Sequence, residues 1–166
     1  MTVERAIFAG GCFWGVEEIF SGVDGVVSVT SGYTGGNTEN PTYKEVRAGG
    51  TGHAEAVLVE FDPEAADYGK LVRIFFELHD PAQAGGQGPD LGAQYRSAVF
   101  YIGERQKEEA LRALCFLKGH GIPAVTELVP AGVFYPAEEY HQRYFKKNPD
   151  RLSGSCHFRR EIDWED

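Results

Sequence analysis

With 166 residues and 42% hydrophobic side chains, the chain can fill the core of one ordinary domain, not two. A formal charge of −9 argues against general affinity for phosphate backbones, which needs clustered Lys and Arg, so no nucleic-acid partner is expected. No apolar run nears the ~20 residues of a membrane helix, and the opening MTVERAIFAGG lacks the basic start and long apolar stretch of a secretory signal, so the expectation is a cytoplasmic monomer without membrane contact.

Residues 3–9 read as a short strand broken by Gly10-Gly11. Residues 13–20 follow as a helix, with Phe13, Val16, Ile19 and Phe20 at helical spacing. The β-branched run 26–31 reads as a strand, and 32–41 as a polar, glycine-rich loop. Residues 53–61 carry the clearest strand pattern: Val57, Val59 and Phe61 alternate on one face, and Pro63 ends it. The spacing of Leu71, Ile74, Phe75 and Leu78 predicts a helix over 68–78, stopped by His79-Asp80-Pro81. Residues 80–94 form a long loop of the kind that usually has a functional reason. A strand over 96–102, a helix over 104–118, a strand over 125–129 and a last helix over 138–146 complete the pattern. The order predicts an α+β two-layer sandwich: a mostly antiparallel or mixed sheet with helices packed on it, a ferredoxin-like core. Residues 1–147 form its body, and 148–166 an irregular tail belonging to the same domain.

Three cysteines, Cys12, Cys115 and Cys156, make neither a disulfide framework nor a metal-ligand spacing, so no metal site is expected. In a reducing compartment a disulfide among them is transient, hence catalytic or sensing. Cys12 stands where a strand becomes a helix. The unpaired N–H groups and dipole of that helix start favour a thiolate there; the alternative is a small buried residue. Phe13 and Trp14 either wall an apolar pocket beside Cys12 or pack in the core. Cys115 falls near Leu111 and Leu114 and reads as core filler, whereas Cys156 sits in a Ser/Gly-rich segment free to swing to another sulfur, or is an incidental surface residue. Glu55 shares a strand face with Val57, Val59 and Phe61, so burial raises its pKa toward that of a general acid, unless it sits at the rim. Tyr43 and Tyr95 end loop segments and can donate to an oxyanion or simply be half-buried; Asp90 in Gly88-Pro89-Asp90 can equally cap a turn.

Seven ordered motifs spread over most of the chain carry a resemblance. They are Gly10-Gly11-Cys12-Phe13-Trp14-Gly15, Gly32-Tyr33-Thr34-Gly35-Gly36, Asn40-Pro41-Thr42-Tyr43, Thr51-Gly52-His53-Ala54-Glu55-Ala56-Val57, His79-Asp80-Pro81, Gln94-Tyr95-Arg96-Ser97, and Ala137-Glu138-Glu139-Tyr140-His141-Gln142 before Lys147-Asn148-Pro149. Together they resemble the peptide methionine sulfoxide reductase A family. The resemblance implies that Cys12 is the nucleophile and Glu55 the acid. It implies that Tyr43 and Tyr95 hold the sulfoxide oxygen, and that Phe13 and Trp14 receive the methyl group. Asp90 falls where the family contacts the substrate backbone, and Cys156 in the region of the resolving cysteine. Some members carry two C-terminal cysteines; this chain has one, which implies a single-resolver cycle. The implied activity is reduction of methionine S-sulfoxide, in oxidised proteins and peptides and also free. It runs through a Cys12 sulfenic acid and a Cys12–Cys156 disulfide reset by thioredoxin, without metal or organic cofactor. The competing readings are a hydrolase or acyl transferase pairing Cys12 with His53 or His141, and a binding module of the same architecture with an inert Cys12.

Overall fold

A computed structural model describes residues 2–165. Among these residues there are eight strands, β1 (Glu4–Gly10), β2 (Val26–Thr34), β3 (Ala54–Phe61), β4 (Gly86–Gln87), β5 (Asp90–Leu91), β6 (Ser97–Tyr101), β7 (Glu127–Pro130) and β8 (Phe134–Pro136), interspersed with five α-helices. The helices are α1 (Phe13–Ser21), α2 (Tyr43–Ala48), α3 (Tyr68–Leu78), α4 (Gly103–Gly119) and α5 (Tyr144–Lys147). Six strands form one mixed sheet in the order β7-β6-β1-β3-β2-β8. Only β6 and β7 run parallel; the other pairs are antiparallel. The fold is thus the expected α+β arrangement of helices against a mixed sheet.

The alternation seen in β3 decides the layering. Val57, Val59 and Phe61 face the main core with α1, α3 and α4, while Ala54 and Ala56 face a smaller cluster with Ile7 and Phe100. Phe8 of β1 is central: its ring lies 5.2 Å from Phe20 of α1 and 5.1 Å from Phe75 of α3. Each such buried ring stabilises the fold by about 1.5–3 kcal/mol. No helix among the described residues is long and apolar enough to cross a membrane.

Four expectations are corrected. Strand β2 runs on to Thr34, because Gly32, Tyr33 and Thr34 pair with both β3 and β8. Helix α2 arises inside a stretch with little apolar periodicity, fixed by a capping box in which Thr42 Oγ1 accepts from the Glu45 N–H and Glu45 accepts from the Thr42 N–H. The single helix expected over 138–146 is broken. A turn at Glu139–His141 ends in Gln142, whose side chain pairs with the backbone of Ser31, and in Arg143 at φ 53°. Buried Glu17 takes the Arg143 N–H at 2.9 Å, a tertiary bond that outweighs helix continuity. Cys115 is exposed rather than core filler. The buried line of α4 is Gln106, Ala110, Leu114 and Leu117, which leaves Leu111 and Cys115 outside.

Candidate active site

The site is built at the junction of β1 and α1. Gly11 turns the chain at φ 97°, and a Cβ there would come within 2.8 Å of the Gln87 side chain, so no other residue makes this turn at this distance. The helix then starts at Phe13 with no side-chain cap from Cys12. Its free N–H groups are used by the two groups of chemical interest. The Phe13 N–H donates to Glu55 Oε1 at 3.2 Å, and the Trp14 N–H faces the sulfur of Cys12.

Glu55 is 1% exposed, on the core face of β3 as its alternation requires. Its second oxygen, Oε2, is buried without a protein partner. Burial pushes this carboxyl up to about 8, against the opposing bond from Phe13 and with a smaller push from the Asp90 charge. Glu55 therefore rests mostly protonated at neutral pH.

Burial works against the resting thiolate expected at Cys12. Burial is the largest influence and raises the thiol, a charge on Glu55 adds to it wherever Glu55 ionises, and the Trp14 N–H opposes both without prevailing. The helix-start argument is correct locally, but one N–H does not replace lost water. Cys12 rests as a thiol.

Around Cys12 lies a cleft of about 480 Å³ lined by Trp14, Tyr43, Asp90, Tyr95, Phe145 and Cys156 among others. Trp14 is half-buried and stacks on Tyr144 at 3.7 Å between centroids, which fixes it as a flat apolar wall. Phe13 does not line the cleft: at 1% exposure it packs beneath, against Tyr33, Tyr43 and His141. Both tyrosines are half-buried. Burial first, and then the Glu55 charge, push Tyr43 up to about 12 and Tyr95 higher, so both phenols stay protonated donors. The loop over 80–94 carries Asp90 and Tyr95 to the cleft. It is laced by two amides: Gln87 pairs with the backbone of Asp80, and Gln83 with that of Gly88.

Cys156 is exposed, lines the same cleft, and is a free thiol, as are Cys12 and Cys115. His53, His79 and His141 are each engaged away from the Cys12 sulfur. His53 bonds to Thr38 and Gly36 and lines a different hollow with Arg96 and Tyr135. His79 is buried between the Phe75 carbonyl and Ser97, and burial lowers it to about 3. His141 is fully buried and accepts from Trp14 Nε1 at 2.9 Å. Among the described residues, no group of three His, Cys, Asp or Glu side chains is placed to hold a metal.

Two supporting residues have no periodic signal in the sequence. Tyr33, fully buried, donates to Glu138 Oε1 at 2.8 Å, and Glu138 Oε2 takes the Tyr43 N–H at 2.9 Å. Glu138 thereby ties α2, and Tyr43 with it, to β2. Partial burial would raise its carboxyl, but these donors outweigh that and hold it below its ordinary value. Glu138→Ala leaves two donors unpaired and is expected to cost about 1–3 kcal/mol. A urea midpoint unchanged from the parent protein would contradict this link.

The comparisons with known proteins agree with the geometry. The family model described as peptide methionine sulfoxide reductase matches residues 4–165. The peptide methionine sulfoxide reductase MsrA of Acinetobacter baumannii (strain AYE) is 49% identical over 156 residues, covering 94% of this chain and 89% of that one. That of Pasteurella multocida (strain Pm70) is 52% identical over 147 residues, covering 88% and 84%. The crystal structure of Mxr1 from Saccharomyces cerevisiae in reduced form is similar with a TM-score of 0.89 at 33% identity, covering 96% of this chain and 93% of that one. On the match along nearly its whole length, the chain belongs to the peptide methionine sulfoxide reductase family and is an enzyme that reduces methionine sulfoxide.

Proposed function

We propose that Cys12 attacks the sulfur of a bound methionine sulfoxide while Glu55 delivers the proton its oxygen needs. The observation that carries this reading is Glu55: its Oε2 is a buried acid oxygen without a protein partner, and its Oε1 accepts from the N–H of Phe13, the residue after Cys12. A sulfoxide oxygen leaves sulfur only once protonated, and Glu55 rests in the form that can give a proton. Tyr43 and Tyr95 donate to the same oxygen as it gains charge. Trp14, with Phe145 beside it and Phe13 packed behind, receives the methyl group, and Asp90 at the rim faces the substrate backbone.

The proton balance follows from the resting states. Thiol and carboxyl both begin neutral. Glu55 gives its proton to the oxygen, and the proton leaving Cys12 restores the carboxyl. The substrate S–O bond and the transient bond from Cys12 then break as the protonated oxygen passes to the Cys12 sulfur; methionine departs reduced, and Cys12, oxidised, is left as sulfenic acid. Cys12 and Glu55 are not charged together in this sequence, since the Glu55 charge opposes a thiolate at Cys12.

Cys156 resolves the sulfenic acid as a disulfide. An external dithiol of the thioredoxin class then exchanges with that disulfide, which requires only accessible sulfur. The S epimer of peptide-bound and free methionine sulfoxide is the substrate, and residues 148–166 act as part of the one catalytic domain, in the cytoplasm. The test is Cys156→Ser. This variant is expected to release about one methionine per chain and then stop under thioredoxin recycling, as a resolving thiol demands. Continued thioredoxin-driven turnover at the parent rate would remove Cys156 from the cycle.

A further inference from the structure

The segment after Asn148 is held on both sides of Cys156. Upstream, a 3-10 stretch (Pro149–Gly154) is pinned by Arg151, which donates to the Tyr144 hydroxyl at 2.6 Å. Downstream, Glu77 of α3 holds three groups: Arg159 Nε at 2.7 Å, Trp164 Nε1 at 3.0 Å, and through its carbonyl the Arg160 N–H at 2.8 Å. Trp164 packs against Phe116 of α4 at 5.3 Å between centroids. Cys156 is among the exposed residues between these anchors, with Leu152 and Phe158.

The residue next to it points the other way. His157 is only 9% exposed, and its Nε2 lies 2.7 Å from the carbonyl oxygen of Gly10, the end of β1. A carbonyl accepts only, so Nε2 carries the proton and donates. The ring fills a niche that two glycines leave open. A Cβ on Gly15 would come within 2.8 Å of the His157 ring, and a Cβ on Gly11 within 3.3 Å of its Nε2. Gly15 is therefore small for a reason at the surface of α1, one turn after the nucleophile. The His157 N–H is also taken, by Ser155 Oγ at 3.2 Å, closing a tight turn around Cys156.

We propose that His157 is the positioning residue of the resolving step: keyed into the Gly11–Gly15 niche and bonded to Gly10, it holds Cys156 over the cleft that contains Cys12. The inference rests on the reductase cycle above. In that step the Cys156 sulfur attacks the Cys12 sulfur, an S–S bond forms and the S–O bond breaks. The oxygen leaves with its own hydrogen and the Cys156 proton as water; Cys12 is reduced and Cys156 oxidised. A disulfide needs Cα atoms roughly 4.4–6.8 Å apart, and a tail held by His157 samples far fewer arrangements outside that range than a loose one.

The test is a single-turnover experiment with methionine sulfoxide on the parent protein, His157→Ala and His157→Gln. It follows methionine release, disulfide formation, and sulfenic acid trapped by a 1,3-dicarbonyl reagent. His157→Ala is expected to release its first methionine at the parent rate, to form the disulfide about 10-fold more slowly or worse, and to accumulate trapped sulfenic acid, because the two sulfurs lose their imposed proximity. His157→Gln, whose amide N–H reaches about as far as Nε2, is expected to recover most of the disulfide rate. Disulfide formation at the parent rate in His157→Ala would overturn the proposal, and so would loss of its first methionine, which would place His157 in the oxygen-transfer step. Absence of methionine from the parent protein would instead sink the reductase reading itself.

Discussion

Cys12→Ser is expected to reduce methionine sulfoxide at least ~10³-fold more slowly than the parent, because removing the nucleophile of a unit that acts together costs nearly its whole rate advantage. A hydroxyl is a poorer nucleophile toward sulfur than a thiol, and nothing in the cleft ionises it. The variant also separates chemistry from folding. Cys12 occupies the N-cap of α1 and makes no side-chain cap there. Serine is among the best N-cap residues, so the substitution is expected to hold or raise stability by a fraction of a kcal/mol or up to ~1 kcal/mol. An inactive protein with an undiminished melting temperature is the outcome to look for. Methionine release at the parent rate would show that oxygen transfer takes place elsewhere.

Glu55→Gln is expected to slow the first methionine release about 10²–10⁴-fold, the usual contribution of a positioned acid. The amide still accepts the Phe13 N–H through its oxygen, so the helix start keeps its bond. The pH dependence gives a second reading. In the parent, the first step is lost as pH rises through about 8, where Glu55 gives up its proton. The variant has no proton to lose there, and its profile is expected to be flat across that range. Stability has the same sign. A carboxyl whose native pKa is raised binds its proton more tightly folded than unfolded. Its contribution is complete below its ordinary value of 4.5 and is lost as pH rises through about 8. Above pH 8 the parent must bury a carboxylate whose Oε2 has no partner, so Glu55→Gln is expected to gain melting temperature over the parent there. An effect confined to KM, or a parent profile without the alkaline loss, would contradict the acid role.

Local pattern carried most of the framework. The alternation of Val57, Val59 and Phe61 placed Glu55 on the core face, and helical spacing placed α1, α3 and α4, because these periods record which side meets the core. Short elements escaped. Strand β8 has three residues, too few for a period, and α2 is announced only by Thr42 and Glu45 three residues apart. The break at Arg143 depends on Glu17, 126 residues away in sequence, and no local rule contains it. Cys115 was missed by about one position of helical phase.

The site divides along the same line. The motifs imply the roles proposed for Cys12, Glu55, Tyr43 and Tyr95, and the C-terminal region the one proposed for Cys156, but neither carries their protonation. The helix start was visible and favours a thiolate; the burial that overrules it is a property of the whole fold. Glu55 was the converse case, since its strand face already implied burial and hence a raised pKa. His157 had no signal at all, because the glycines that admit its ring, Gly11 and Gly15, lie 146 and 142 positions earlier, and the carbonyl it bonds, Gly10, 147 positions earlier.

Thiol counting tests the coupling of these parts most directly. The fully reduced protein, with its three free cysteines, is mixed with an equivalent of methionine sulfoxide and its remaining thiols are alkylated and mapped. Two thiols should disappear for each methionine formed, leaving Cys115 alkylated and the Cys12 and Cys156 peptides joined. Three intact thiols with no methionine produced, or a linkage through Cys115, would contradict the proposed cycle.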